Sequence, residues 1–128
     1  QYPDIVYPAW TKTHDRGGSG VWERLHTAMK VHKEAALCSA SYGLLQIMGF
    51  NHALCGFDTV QAFVEAQEES EAKQLESFCA FMRSEGLVPF LSRRDWTGFA
   101  RRYNGPGYAQ NQYDVKLRKA YEQCRATS

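Results

Sequence analysis

Glycine and proline divide this chain into segments whose apolar residues recur at the spacing of an α-helix. One such segment follows the turn-forming run 17–20 and places Trp22, Leu25, Met29 and Ala36 on one face. No segment shows a convincing alternation of polar and apolar residues, which is the signal of a half-buried strand. We therefore predict a mostly α fold with about six helices of mixed length.

Capping residues predict where the individual helices begin and end. Residues 1–20 are expected to form an irregular lead-in, and residues 42–48 a short helix that stops at a glycine. Asp58 is expected to be the N-cap of the next helix, as the first residue of a capping box. Ser70 and the segment 92–95 are expected to start two more. The residues expected to face the core are Val60, Phe63, Val64, Leu75, Phe78, Cys79, Met82, Trp96, Phe99, Ala100, Tyr113, Leu117, Ala120, Tyr121 and Cys124.

Length and composition limit the functional classes. The 128 residues are predicted to form one domain, 1–128, with an ordinary apolar fraction of 44%. A net charge of +1 gives a poor electrostatic case for a nucleic-acid partner. No apolar run approaches the ~20 residues that cross a bilayer. We expect a monomer without a transmembrane segment, and no signal peptide is visible. The absence of an initial Met indicates a trimmed or partial chain.

The cysteines and histidines do not indicate a metal site. Four cysteines, at positions 38, 55, 79 and 124, form no CxxC pair and match no usual zinc spacing. His26 and His32 are six residues apart, and not at the four-residue spacing of a helical zinc pair. We predict no metal and no cofactor, and four buried, reduced thiols. At least one disulfide remains the alternative.

Two motifs carry residue types suited to sugar binding. The segment 39–52 reads Ser-Ala-Ser-Tyr-Gly-Leu-Leu-Gln-Ile-Met-Gly-Phe-Asn-His, and the carboxamide of Gln46 can both donate to and accept from an N-acetyl or hydroxyl group. The segment 99–107 reads Phe-Ala-Arg-Arg-Tyr-Asn-Gly-Pro-Gly. Each has a structural alternative, which is a core plug for the first and a helix C-terminus for the second. The three tryptophans, Trp10, Trp22 and Trp96, can stack on sugars, although core packing is favoured for the last two.

Both motifs resemble those of the peptidoglycan N-acetylmuramidase domain of phage endolysins, and are related to signatures of goose-type lysozymes and lytic transglycosylases. A helix containing Glu71-x-x-Gln74-Leu-x-x-Phe78 also resembles that of the family, so the resemblance extends over nearly the whole chain. It implies a lysozyme-like fold and peptidoglycan glycan strands as the partner. It further implies cleavage between N-acetylmuramic acid and N-acetylglucosamine, at the bacterial cell wall on the periplasmic side. Substrate-binding roles follow for Ser41, Tyr42, Gln46, Tyr103 and Asn104, with Gln46 and Tyr103 expected to line one groove.

The acid of such a reaction is harder to assign. The resemblance implies a glutamate upstream of the segment 39–52, and no carboxylate of this chain matches its position, so we expect it upstream of these residues. Glu34 is the fallback, and a surface ion pair is the alternative role for it. Two other functions of the same cleft stay open: a lytic transglycosylase and a non-catalytic peptidoglycan-binding module. A plain helical interaction domain is a third alternative.

Overall fold

The structure is a computed structural model that describes residues 18–127. Within this range it contains seven α-helices, two 3-10 helices and one two-stranded antiparallel sheet, so the prediction of a mostly α fold is confirmed. The chain packs as two compact units, the first ending at Phe81 and the second spanning Met82–Ser128. No helix of the described part is long and apolar enough to cross a membrane. The prediction of a single domain over 1–128 stays a prediction.

The described part of the first unit begins with two helices separated by a cap. Its elements are α1 Gly18–Val31, α2 Lys33–Ser39, β1 Ser41–Tyr42, β2 Ile47–Met48, a 3-10 helix Gly49–Cys55, α3 Val60–Glu69 and most of α4 Glu71–Ser84. Because α1 begins at Gly18, the prediction of an irregular lead-in is wrong for its last three residues. The rest of that lead-in, with Trp10, lies outside the described residues.

His32 interrupts the helical periodicity that the sequence suggested. Its backbone is extended (φ −155°, ψ 100°), and its Nδ1 accepts a hydrogen bond from the amide of Ala35 at 3.1 Å, which makes it the N-cap of α2. The residues on either side of it therefore do not share one face. Ala36 is buried, whereas Trp22 is 51% exposed with its ring 6.3 Å from that of His26. The prediction that Trp22 lies in the core is wrong.

A β-hairpin stands where a short helix was predicted. The strands pair antiparallel, with Ser41 opposite Met48 and Tyr42 opposite Ile47. Residues 43–46, which we call the hairpin turn, connect them. Gly43 and Gln46 have φ of +71° and +52°, and a right-handed helix cannot contain such residues. The predicted helix over residues 42–48 is therefore wrong.

An aromatic cluster forms the core of the first unit. Phe63 of α3 is fully buried, and the rings of Tyr42 and Phe57 meet it edge-on at centroid distances of 5.9 and 5.7 Å. Helix α3 begins one residue later than predicted, since Thr59 and not Asp58 is the N-cap and its Oγ1 accepts from the amide of Ala62 at 3.2 Å.

Helix α4 begins and ends as the sequence predicted, but it buries a different face. Ser70 Oγ accepts from the amide of Lys73 at 3.2 Å, and Gly86 (φ +68°) follows its last turn. Leu75, which was expected to face the core, is 57% exposed. The buried residues of this helix are Ser77 and Phe81.

The second unit contains α5 Val88–Ser92, α6 Trp96–Asn104, a 3-10 helix Pro106–Ala109 and α7 Tyr113–Ala126. Asp95, the last residue of the segment 92–95 that was predicted to start a helix, caps α6 by accepting from the amide of Gly98 at 2.9 Å. Phe99 and Ala100 are buried as predicted. Half-buried Trp96 packs on Tyr121 of α7, with 5.2 Å between ring centroids. No residue of α7 is fully buried, so the predicted core positions Tyr113, Ala120 and Cys124 are wrong.

The four cysteines are free in the structure, and their burial differs from the prediction. Cys55 is buried, Cys38 and Cys79 are half-buried, and Cys124 is exposed. Burial raises the pKa of the Cys55 thiol to about 11, because a thiolate is poorly solvated there.

We expect the thiols to react with an aromatic disulfide reagent in the order of their exposure. At pH 8 the native protein should react first at Cys124 and last at Cys55, because Cys55 is both inaccessible and protonated. The Cys124→Ser variant should lack the fast phase. In denaturant without reductant all four thiols should react, and a recovery near zero would contradict this expectation.

A close backbone approach makes Gly49 essential to the first unit. Its amide donates to the Ala40 carbonyl at 2.8 Å, and a Cβ at this position would overlap the Leu37 carbonyl oxygen at the end of α2. Backbone cannot move aside as a flexible side chain can. The 3-10 helix that follows the hairpin therefore fits against α2 only if residue 49 has no side chain.

We predict that Gly49→Ala lowers the free energy of unfolding by ~1–3 kcal/mol, the usual cost of overpacking. The matched control is Gly107→Ala, since a Cβ at Gly107 would meet no atom within 4 Å. Urea denaturation followed by circular dichroism measures both variants. Equal stability of Gly49→Ala and the control would contradict the close approach.

Candidate functional site

The hairpin turn joins two of the predicted site residues. Ser41 Oγ donates a hydrogen bond to Gln46 Oε1 at 2.8 Å, and Gln46 Nε2 donates to the Gly43 carbonyl at 2.8 Å. Both side chains are exposed. A carboxamide has two donor hydrogens and two acceptor lone pairs, and these contacts use one of each. The Gln46 amide is thus held at both ends while one donor and one acceptor remain for a ligand.

The backbone of Gln46 is in an unusual conformation. A φ of +52° lies in the left-handed region, which non-glycine residues adopt at a cost of about 1 kcal/mol or more. Such residues persist where surrounding contacts over-determine them. Here the Gln46 amide nitrogen also donates to the Gly43 carbonyl at 3.3 Å, so backbone and side chain both close the turn.

Gln74 of α4 contacts this turn, and sequence reasoning had assigned it no role in the site. Its Oε1 accepts from the amide of Leu44 at 2.9 Å, across 30 positions of sequence. A Cβ on Gly43 would come within 2.9 Å of the Gln74 side chain. Position 43 therefore requires glycine for two reasons, which are its positive φ and the close approach of the Gln74 side chain. The sequence held a signal for Gln74 in the α4 motif, but nothing that linked it to the turn.

Tyr42 lies beneath the turn and is buried. Its hydroxyl donates to the Leu37 carbonyl at 3.0 Å, which braces β1 against α2. Burial, and to a smaller extent the nearby Cys38 and Glu68, raises the pKa of this phenol to about 12. In this structure its hydroxyl is engaged inside the protein, and the predicted contact with substrate stays a prediction.

Tyr103 and Asn104 belong to the second unit, at the end of α6. Tyr103 is half-buried and its ring stacks on that of Phe99, with 5.6 Å between centroids and 27° between planes. Asn104 is exposed and is the last residue of the helix before Gly105, whose φ is +76°. This is the helix C-terminus that the sequence offered as the alternative. Substrate roles for both residues, and a groove shared with Gln46, stay predictions.

Glu34, the fallback acid, is an exposed residue in the first turn of α2. A glycosidase acid depends on an environment that raises its pKa, such as a hydrophobic pocket. Glu34 lacks that burial. Within residues 18–127 it forms no ion pair, so the surface pair that was the alternative is not observed either.

A cavity of about 460 Å³ opens on the α3–α4 side of the first unit. Buried Cys55, Ala66 and Ser77 line it, together with the exposed carboxylates Glu65, Glu69 and Glu76. Lys73 Nζ lies 3.3 Å from Glu76 Oε2 at this surface. The cavity contains none of the predicted site residues. Among the described residues, no cluster of three His, Cys, Asp or Glu side chains is arranged to hold a metal ion.

We predict that Tyr42 makes stability fall between pH 10 and pH 12. The folded pKa of about 12 is above the usual 10, so the folded state favours the neutral phenol. The contribution of Tyr42 to the stability of the fold is therefore complete below pH 10 and is lost as pH rises towards 12. Tyr42→Phe should be less stable at pH 7, since it leaves the Leu37 carbonyl without its donor, and should show a shallower decline across this window. Chemical denaturation at several pH values measures the free energy of unfolding of both proteins. Parallel curves of this free energy against pH would contradict the prediction.

Comparison with known proteins agrees with the motifs. The family model for N-acetylmuramidase matches residues 1–125. The crystal structure of Burkholderia AP3 phage endolysin superimposes with a TM-score of 0.85 at 37% sequence identity, covering 95% of this chain and 47% of that one. The chain thus spans about half the length of that endolysin, and no curated protein matches it. Because the family match covers nearly all of the sequence, the chain belongs to the N-acetylmuramidase family, as the resemblance of its motifs predicted.

Proposed function

We propose that this chain is the cell-wall-degrading domain of an endolysin-type muramidase, which hydrolyses the bond between N-acetylmuramic acid and N-acetylglucosamine in peptidoglycan. The observation that carries the proposal is the family match over residues 1–125, supported by the structural match to a phage endolysin.

The hairpin turn supplies chemistry that suits this substrate. Glycan strands present N-acetyl groups and hydroxyls, which both donate and accept hydrogen bonds. The fixed carboxamide of Gln46 offers one donor and one acceptor to such groups, and the Ser41 hydroxyl lies beside it. Because the amide is already oriented by Ser41 and Gly43, little side-chain freedom is lost on binding.

Hydrolysis also needs a carboxylic acid to protonate the leaving oxygen. Among the described side chains, the buried polar ones are Gln67 and Ser77, and neither can serve as that acid. This observation favours one second candidate, a peptidoglycan-binding module that holds the glycan without cutting it. A lytic transglycosylase needs an acid as well, and differs in releasing an anhydro product without water.

Digestion of purified peptidoglycan by protein of verified mass tests the proposal. Loss of turbidity with reducing N-acetylmuramic acid ends, identified by mass spectrometry, is the expected result. Anhydro ends would identify a transglycosylase, and binding without release would identify a binding module. Clearing that Glu34→Gln abolishes would assign the acid to Glu34 in spite of its exposure.

We predict that Gln46→Ala weakens binding of an N-acetylglucosamine oligomer by about 3–10-fold, the loss expected for about one net hydrogen bond. Its stability should change little because the side chain is exposed. Gln123→Ala, the same change at an exposed position of α7, is the control and should bind as the wild type does. Calorimetric titration and urea denaturation measure the two effects. A large loss of stability with unchanged affinity would return Gln46 to a packing role.

A further inference from the structure

The Gln74 side chain makes hydrogen bonds in two opposite directions. Its Oε1 accepts from the amide of Leu44 in the hairpin turn at 2.9 Å, and its Nε2 donates to the Gln67 carbonyl in α3 at 2.7 Å. One residue of α4 therefore connects the turn to the last part of the preceding helix. Among the described residues, this connection is the one contact that the Glu71-x-x-Gln74 motif makes with the site described above.

The Gln67 end of this connection is firmly held. Gln67 lies in the last turn of α3, where backbone carbonyls have no partner within the helix, so the Gln74 donor satisfies one of them. The Gln67 side chain is buried and donates to Ser77 Oγ at 2.9 Å. Ser77 Oγ in turn donates to the Lys73 carbonyl at 2.8 Å. The polar pair formed by Gln67 and Ser77 is thus a second link between α3 and α4, and its hydrogen bonds lie outside the turn.

The turn end of the connection needs an outside restraint. Two of its four residues, Gly43 and Gln46, have positive φ, and the strands on either side are two residues long. Hairpins this short are not stable by themselves. Gln74 contacts the turn both through the Leu44 amide and through its approach to Gly43. Gln74 thus contacts Gly43, whose carbonyl accepts from the Gln46 carboxamide.

We propose that Gln74 is a positioning residue for glycan binding, which acts by holding the hairpin turn so that the Gln46 carboxamide points in one direction before the glycan arrives. The proposal rests on the proposed function, because it concerns the same glycan site. Preorganisation of this kind lowers the conformational freedom lost on binding. The rival account is that Gln74 merely ties α4 to α3.

Three variants separate these accounts. Gln74→Met has a similar length and loses both hydrogen bonds. Gln74→Glu keeps an acceptor for the Leu44 amide and loses the donor to Gln67. Ser77→Ala removes a second polar contact between α3 and α4, whose atoms lie outside the turn. Circular dichroism and thermal melting confirm that each variant is folded under the binding conditions.

Two readouts are made on each variant with a hexamer of N-acetylglucosamine as the probe. Gln74→Met should bind about 3–10-fold more weakly, as expected for the loss of about one net hydrogen bond, and should exchange the Leu44 amide hydrogen faster. Gln74→Glu should stay closer to the wild type in both its affinity for the hexamer and the exchange rate of the Leu44 amide. Ser77→Ala should melt at a lower temperature and bind as the wild type does. Equal damage by Met and Glu, or weakened binding by Ser77→Ala, would overturn the positioning role.

A double-variant cycle with Gln46→Ala completes the test. If Gln74 acts through Gln46, the double variant should bind no more weakly than Gln46→Ala alone, whereas independent effects would add. Additive losses would overturn the inference. Wild-type binding that Gln74→Met leaves intact would overturn it alone, and absence of wild-type binding would overturn the proposed function and this inference together.

Discussion

The edge-on contact between Tyr42 and Phe63 is the interaction on which the candidate site depends. It buries the first strand of the hairpin against α3, and the Tyr42 hydroxyl bonds the end of α2 from the same position. Because the side chains of a strand alternate between faces, burying Tyr42 leaves its neighbour Ser41 in solvent. One aromatic residue thereby determines which side of the hairpin is available to a ligand.

Local signals predicted the helices well and the hairpin poorly. Ser70, Asp95 and Gly86 mark helix ends through hydrogen bonds and φ values that involve only a few neighbouring residues, and such signals can be read directly from the sequence. The hairpin has strands of two residues, too short to show alternation, and its apolar residues mimic one turn of a helix. The break between α1 and α2 at His32 was also not predicted, because an imidazole is an uncommon N-cap.

The candidate site was predictable in part. The family resemblance pointed to Ser41 and Gln46, and the structure brings these two side chains together in solvent. It did not reveal that Tyr42 is buried, nor that Gln74 touches the turn, because both depend on packing between segments far apart in sequence. A contact across 30 positions leaves no periodic or capping signal.

The left-handed backbone of Gln46 has a consequence for how this protein can be improved. Glycine or asparagine at that position would relax the backbone, and so would stabilise the fold while removing or shortening the amide that faces solvent. A library screened for heat resistance alone would therefore enrich such replacements and discard binders. If Gln46 binds the glycan as we propose, thermal stability and glycan binding oppose each other at this residue, and directed evolution of this domain needs a selection for both.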